Sequence, residues 1–132
     1  MKTAFADTAY YLALLNVHDE LHGRSTEFTT GFNGQLLTTT WVLTEVVDAL
    51  SRPAFRTTVV DFVRAIQTDP QVTIVPASQE LFDRGFDLFA HRPDKEWSLT
   101  DCISCVAMQE HGLTEALTSD HHFRQMGFRT LL

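Results

Sequence analysis

Positive charge is scarce in this chain. Lys2 and Lys95 are its only lysines, lysine and arginine together number 10 against 17 acids, and the formal net charge is −7. Such a balance excludes a protein that coats nucleic acid by bulk electrostatics, which needs a strongly basic face. It does not exclude a nuclease, because acids gathered around a cation are neutralised by the ion they hold. Arg52, Arg56, Arg84, Arg92 and Lys95 are available for phosphate contacts at a rim, although each taken singly reads as solvated surface charge. Long apolar runs are also missing. The longest candidate, Tyr10 to Leu15, falls far short of the roughly 20 residues of a membrane span. The opening residues MKTAFADT carry one lysine and then an early aspartate, the wrong pattern for a signal peptide, so a cytoplasmic protein is expected.

Cysteine is limited to Cys102 and Cys105, spaced C-x-x-C. Both fall inside a predicted helix, where Cβ atoms three residues apart lie about 5 to 6 Å from each other, too far for an unstrained disulfide. Zinc would need two more ligands, and no other cysteine exists. The pair reads as small packing thiols in a reducing compartment. His18 and His22 also stand one turn apart, a zinc-compatible spacing, but no further ligand lies near them.

What is present is an alternation of strand and helix signals over 132 residues, the length of one domain, with 44% hydrophobic content. Residues 2–7 read as a buried strand, and Thr8 starts a helix whose Tyr11, Leu12 and Leu15 share a face. A second helix is expected over 19–28, a turn at Gly31 to Gly34, and a second strand over 35–39. The helix at 41–50 carries Leu43, Val46, Val47 and Leu50 as its stripe, with Glu45 on the side of Trp41 and Ala49. Pro53 sits in the first turn of the next helix, where its missing donor costs nothing. Phe55, Val59, Phe62, Val63 and Ile66 repeat along that helix as core or dimer interface. Asp69-Pro70 stops it, and 72–75 is a third strand. Ser78 caps a helix whose Leu81, Gly85, Leu88 and Phe89 face inward, and 92–96 is a polar loop. Ser98 then opens a helix that Gly112 closes, 116–118 is a short strand, and 128–131 a last one. This order implies an α/β fold with right-handed crossovers and a mainly parallel sheet of four to five strands, helices covering both faces.

Four acids occupy places that such a sheet can bring together. Asp7 ends the first strand, Asp120 lies just past the strand at 116–118, Asp101 is in a helix's first turn, and Glu45 flanks a buried face. Ligand sites gather at the carboxyl edge of an open parallel sheet. Three of them have a plainer reading: Asp7 as a helix cap, Glu45 in a salt bridge to Arg52, and Asp101 closing a capping box with Ser98. Converging together, four carboxylates would repel unless a cation sat among them. Oxygen donors of this kind suit Mg²⁺ or Mn²⁺ rather than zinc, and metal-assisted phosphodiester hydrolysis is the chemistry they fit. His121 and His122 follow Asp120 directly. Adjacent helical residues point about 100° apart, so at most one faces the cleft, and neither is assigned a role.

The runs SLTDCISCVAM and EALTSDHHFRQMGF resemble the C-terminal half of PIN-domain ribonucleases, in particular the toxins of the VapC type. AFADTAYYLALLN resembles that family's first strand and acidic turn, and TTTWVLTEVVDAL its second acidic helix. The resemblance spans residues 1–132 as one PIN domain. It implies a Mg²⁺-dependent endoribonuclease acting on RNA, with Asp7 and Asp101 as principal metal ligands and Glu45 and Asp120 completing the pocket. Thr8 and Thr118 occupy positions from which a hydroxyl could bond a carboxylate or water. It further implies a homodimer silenced by a small antitoxin. A housekeeping RNA-processing nuclease on the same fold and a catalytically silent interaction module are the alternatives. A phosphoacceptor domain with Asp7 modified is more distant, since no lysine lies near the last strand. Gly23 inside a helix and the threonines Thr38 to Thr40 stand out as local departures from the family pattern.

Overall fold

The computed structural model describes residues 2–132. In chain order the elements are β1 (Thr3–Ala6), α1 (Thr8–Leu15), α2 (His22–Gly31), β2 (Gln35–Thr39), α3 (Thr40–Ala49), α4 (Pro53–Thr68), β3 (Val72–Val75), α5 (Gln79–His91), α6 (Leu99–Glu110), β4 (Glu115–Leu117), α7 (His121–Gln125) and β5 (Arg129–Thr130). The strands pair in the order β3-β2-β1-β4-β5, every pairing parallel. The chain therefore steps outward from β1 to β3, crosses back to β4 and steps out the other way. Right-handed crossovers then place α1 to α4 on one face and α5 to α7 on the other. The reversal falls between β1 and β4, the switch point where such sheets open a crevice at their carboxyl edge. Asp7 leaves β1 there, its backbone N–H donating to the Leu117 carbonyl at 3.3 Å.

As the central strand, β1 is apolar on both sides, and Ala4, Phe5 and Ala6 are fully buried. Tyr10, Tyr11, Val42, Val46 and Val59 continue that core. The threonine run is not a local weakness. Thr38 Oγ1 donates to the Ala6 carbonyl at 2.9 Å, Thr39 Oγ1 caps α3 by accepting from Val42 N at 3.2 Å, and Thr40 Oγ1 donates to the Val75 carbonyl at 3.4 Å. Three successive hydroxyls thus tie β2 to both neighbours and start the helix that carries Glu45.

Several expectations need correction. The second helix begins at His22 rather than residue 19, because Asp19 Oδ1 accepts from Leu21 N at 2.8 Å and turns the chain first. The helix reaches Gly31, so the expected turn is shorter than read. His22 Nδ1 bonds the Ala13 carbonyl at 2.7 Å, and His18 is exposed. On α3, Val42 is buried while Val47 and Ala49 are exposed. On α4, Val59 is buried but Phe55 is exposed. On α5, Leu81 and Gly85 face inward as expected, yet Phe89 points out. Cys102 and Cys105 are buried free thiols, and burial pushes both up to about 11.

At Gly85 helix α5 lies close against α6. A Cβ there would stand 2.3 Å from Ile103 Cγ1 and 3.0 Å from its Cα. Ile103 is fully buried and cannot retreat. Gly85→Ala is therefore expected to destabilise, overpacking of about 1–3 kcal/mol exceeding the gain in helix propensity of about 1 kcal/mol. Gly23, with nothing within 4 Å of its added Cβ, should behave oppositely. Gly23→Ala is expected to stabilise by up to about 1 kcal/mol, and urea midpoints for the two variants should move in opposite directions.

Candidate active site

Asp7 holds the N-cap position of α1, with extended backbone angles of φ −92° and ψ 167°, but its side chain makes no capping bond. The carboxylate turns instead into the protein, leaving the residue 6% exposed. Oδ2 accepts from Thr118 Oγ1 at 2.9 Å. Burial pushes the Asp7 carboxyl up to about 7, against bonds from the Thr8 backbone and the Thr118 hydroxyl that favour its charged form. The negative charges of Asp101 and Glu45 raise it further, which brings three acids into one electrostatic neighbourhood.

Each remaining acid is fixed by a local device. Thr8 Oγ1 donates to Glu45 Oε1 at 2.6 Å, tying the start of α1 to α3. No ion pair joins Glu45 to Arg52 among the described residues. Asp101 does close the capping box of α6: Ser98 N donates to its Oδ2 at 3.1 Å and Asp101 N donates to Ser98 Oγ at 3.0 Å. That bond pattern holds the side chain at the helix start without removing it from the cleft. Asp120 caps α7, its Oδ1 accepting from His122 N at 2.9 Å. Its own N–H donates to Thr118 Oγ1 at 3.0 Å. One buried hydroxyl therefore gives its proton to Asp7 and its lone pair to the backbone of Asp120. Thr118→Val should loosen both acids and lower any divalent-ion affinity of the site by roughly 10- to 100-fold, a range typical for a lost outer partner of a metal ligand and readable by calorimetry.

Helical spacing assigned no role to either histidine. In the structure His122 Nδ1 lies 3.2 Å from Asp101 Oδ2 and 3.3 Å from Asp120 Oδ1, and its side chain is 18% exposed. His121 is 63% exposed and 3.8 Å from Asp120. A cap rather than helical periodicity explains the difference, because the bond from His122 N to Asp120 swings the second histidine back over the acids. Asp101 and Asp120 thus meet through His122, and Asp7 and Asp120 through Thr118.

Beside this cluster, Asp94, Lys95, Glu96, His121, His122 and Gln125 line a polar groove. Trp97 supports it, donating from Nε1 to Gln125 Oε1 at 2.8 Å while Arg92 and Lys95 lie 5.0 and 5.9 Å from its ring centre. Arg84 pairs with Glu110, and Arg92 bonds Asp94 through two nitrogens at 3.0 Å. A cavity of about 410 Å³ elsewhere, lined by Arg24, Glu27, Phe28, Gly31, Phe32 and Leu131, contains none of the four acids. Carboxylates that are buried or half-buried and pre-oriented by hydroxyls and a cap, with burial holding a proton on Asp7 up to about 7, form a donor set that fits a hard divalent cation.

The family described as PIN domain matches residues 4–129. Over 124 residues, 94% of each chain, the sequence is 25% identical to the 23S rRNA-specific endonuclease VapC20 of Mycobacterium tuberculosis. The fold superposes on the crystal structure of VapC20, a Sarcin-Ricin loop cleaving toxin, with a TM-score of 0.87 and 24% identity over 96% of both chains. It also matches FitAcB from Neisseria gonorrhoeae, with a TM-score of 0.72 and 12% identity over 99% of this chain and 97% of that one. VapBC2 from Rickettsia felis, bound to a DNA fragment from its promoter, matches with a TM-score of 0.69 and 11% identity over 98% and 97%. No helix among the described residues is long and apolar enough to cross a membrane.

Proposed function

The chain belongs to the PIN-domain family, and on that premise we propose that it is a divalent-metal-dependent endoribonuclease, the toxin of a toxin–antitoxin pair. One observation carries the reading: Asp7 is 6% exposed, beside the charges of Glu45 and Asp101, at the carboxyl edge of the sheet's switch point. Burying a carboxylate next to two others is costly for folding and makes sense where a cation binds.

Asp7 and Asp101 are the proposed principal ligands, with Glu45 and Asp120 joining directly or through water. Mg²⁺ or Mn²⁺ is the expected ion. A bound cation of this type supplies an activated water and charge stabilisation at a phosphodiester. The protein's part is positional. Thr118 orients Asp7, Thr8 orients Glu45, the Ser98 cap fixes Asp101, and Lys95 at the rim offers charge to a neighbouring phosphate. Likeness to VapC20 makes 23S ribosomal RNA the first substrate to try. Incubation of purified protein with ribosomes in Mg²⁺, followed by sequencing of RNA ends, should yield discrete new ends that EDTA and Asp101→Asn both abolish. Cleavage indifferent to EDTA, or none in Mg²⁺ or Mn²⁺, would contradict the proposal.

Induced expression should halt growth, and a small protein encoded beside it should restore growth. A homodimer is also proposed. Its support is a row of stacked rings on α5, Phe82, Phe86 and Phe89, with centroids 6.2 and 6.4 Å apart, of which Phe86 is 50% and Phe89 45% exposed. Apolar surface of this kind is normally covered by a partner. Light scattering should give twice the chain mass of 15.0 kDa, and Phe86→Glu should return it to that value.

A further inference from the structure

His122 stands where a carboxylate-only site has no use for it. Its Nδ1 lies 3.2 Å from Asp101 Oδ2 and 3.3 Å from Asp120 Oδ1, so a carboxylate oxygen of α6 and one from the start of α7 both flank the same nitrogen. Atoms this close repel unless something positive lies between them. A single N–H shared between two carboxylates answers that in part. A metal ion answers it fully, because donors at right angles around a divalent cation, each about 2.1 Å from it, lie about 3 Å apart. The ring is mostly shielded from water and is anchored from behind, since His122 N donates to Asp120 Oδ1 and Asp120 N donates to Thr118 Oγ1, whose proton goes to Asp7. The nitrogen thus sits on the same scaffold as the buried acid. His121, more exposed and 3.8 Å from Asp120, lacks both features.

We propose that His122 Nδ1 is itself a ligand in the acidic site, giving it a mixed oxygen and nitrogen donor set that favours Mn²⁺ over Mg²⁺. This rests on the metal-dependent reading above. Its chemical basis is that Mg²⁺ prefers oxygen donors whereas imidazole suits transition metals, with Mn²⁺ ahead of Mg²⁺ in tolerating it.

The test is pulsed electron paramagnetic resonance of the full-length protein loaded with Mn²⁺ alone. The wild type should show modulation from a directly coordinated ¹⁴N. That modulation should change to the ¹⁵N pattern when the protein is grown on ¹⁵N-histidine, a label that leaves folding untouched. It should vanish in His122→Gln and persist in His121→Gln. Calorimetry should show His122→Gln weakening Mn²⁺ by roughly tenfold or more while Mg²⁺ changes far less. Bound Mn²⁺ without nitrogen modulation in the wild type overturns the ligand assignment and leaves the carboxylate site standing, with His122 reduced to a shared donor. Failure to bind Mn²⁺ at all overturns both.

Discussion

Asp7→Asn is expected to abolish RNA cleavage and, in the same protein, to raise stability at pH 8 when no metal is present. Burial, aided by the charges of Asp101 and Glu45, raises the Asp7 carboxyl from 3.8 to about 7. Between those values the folded chain holds a proton that the unfolded chain has lost, so stability falls as pH rises from about 4 through 7. Above that window the full penalty stands, up to roughly 4 kcal/mol, because each tenfold difference in proton affinity between the folded and unfolded chains is worth about 1.4 kcal/mol. Asparagine keeps an acceptor for Thr118 but carries no charge, so the variant lacks this slope. Denaturation in EDTA at pH 4, 6 and 8 should show the two proteins equal at the lowest pH and the variant ahead at the highest. Equal slopes would mean that Asp7 is not carrying buried charge. Adding Mg²⁺ should reverse the order, because only the wild type gains the binding free energy of the ion. Cleavage should fall by at least about 10³-fold, the loss of several kcal/mol of metal-borne stabilisation.

Asp101 should separate folding from chemistry in a different way. Its Oδ2 closes the capping box with Ser98 and also faces His122. Asp101→Ala removes both functions, and loss of a cap of this kind costs about 1 kcal/mol. Asp101→Asn keeps an acceptor for the Ser98 N–H and relieves repulsion on Asp7, so metal-free stability should hold or rise slightly. Both variants should lose at least about 10²-fold in cleavage. A thermal melt that distinguishes them beside an RNA assay that does not would show that capping and metal holding are separate duties of one carboxylate.

Both readings of Asp101 were visible in the sequence as competing explanations, and the structure makes them compatible, since the Oδ2 that closes the cap also faces His122. A box made with aspartate holds the side chain short and close to the helix axis, where Oδ2 can satisfy Ser98 N and still face the cleft. Asp7 was legible for a related reason. An acid between an apolar strand and a helix start is either a cap or a site residue, and the absence of a capping bond in the structure favours the second.

What remained illegible depended on contacts made far along the chain. Phe89 keeps helical register with Leu81, Gly85 and Leu88, yet α5 rotates so that Gly85 meets Ile103, and Phe86 and Phe89 are left outside. The threonine run gave no local hint that its hydroxyls reach Ala6 and Val75. The shift of α2 came from an aspartate turn outcompeting the first helical bonds, a contest that propensity alone does not decide. His122 was passed over because helical spacing treats the two histidines alike. Treating Asp120 as the cap of a short helix would have singled out the residue two positions on, since that is the N–H such a cap takes.

Crystals grown at pH 8, where Asp7 is charged, and soaked in Mn²⁺ provide the most direct measurement, through anomalous diffraction at the manganese edge. A strong peak bounded by the carboxylates of Asp7, Asp101 and Asp120 is the expected result. Saturating Mn²⁺ with no peak there, or with peaks only at other surface acids, would contradict a shared metal site.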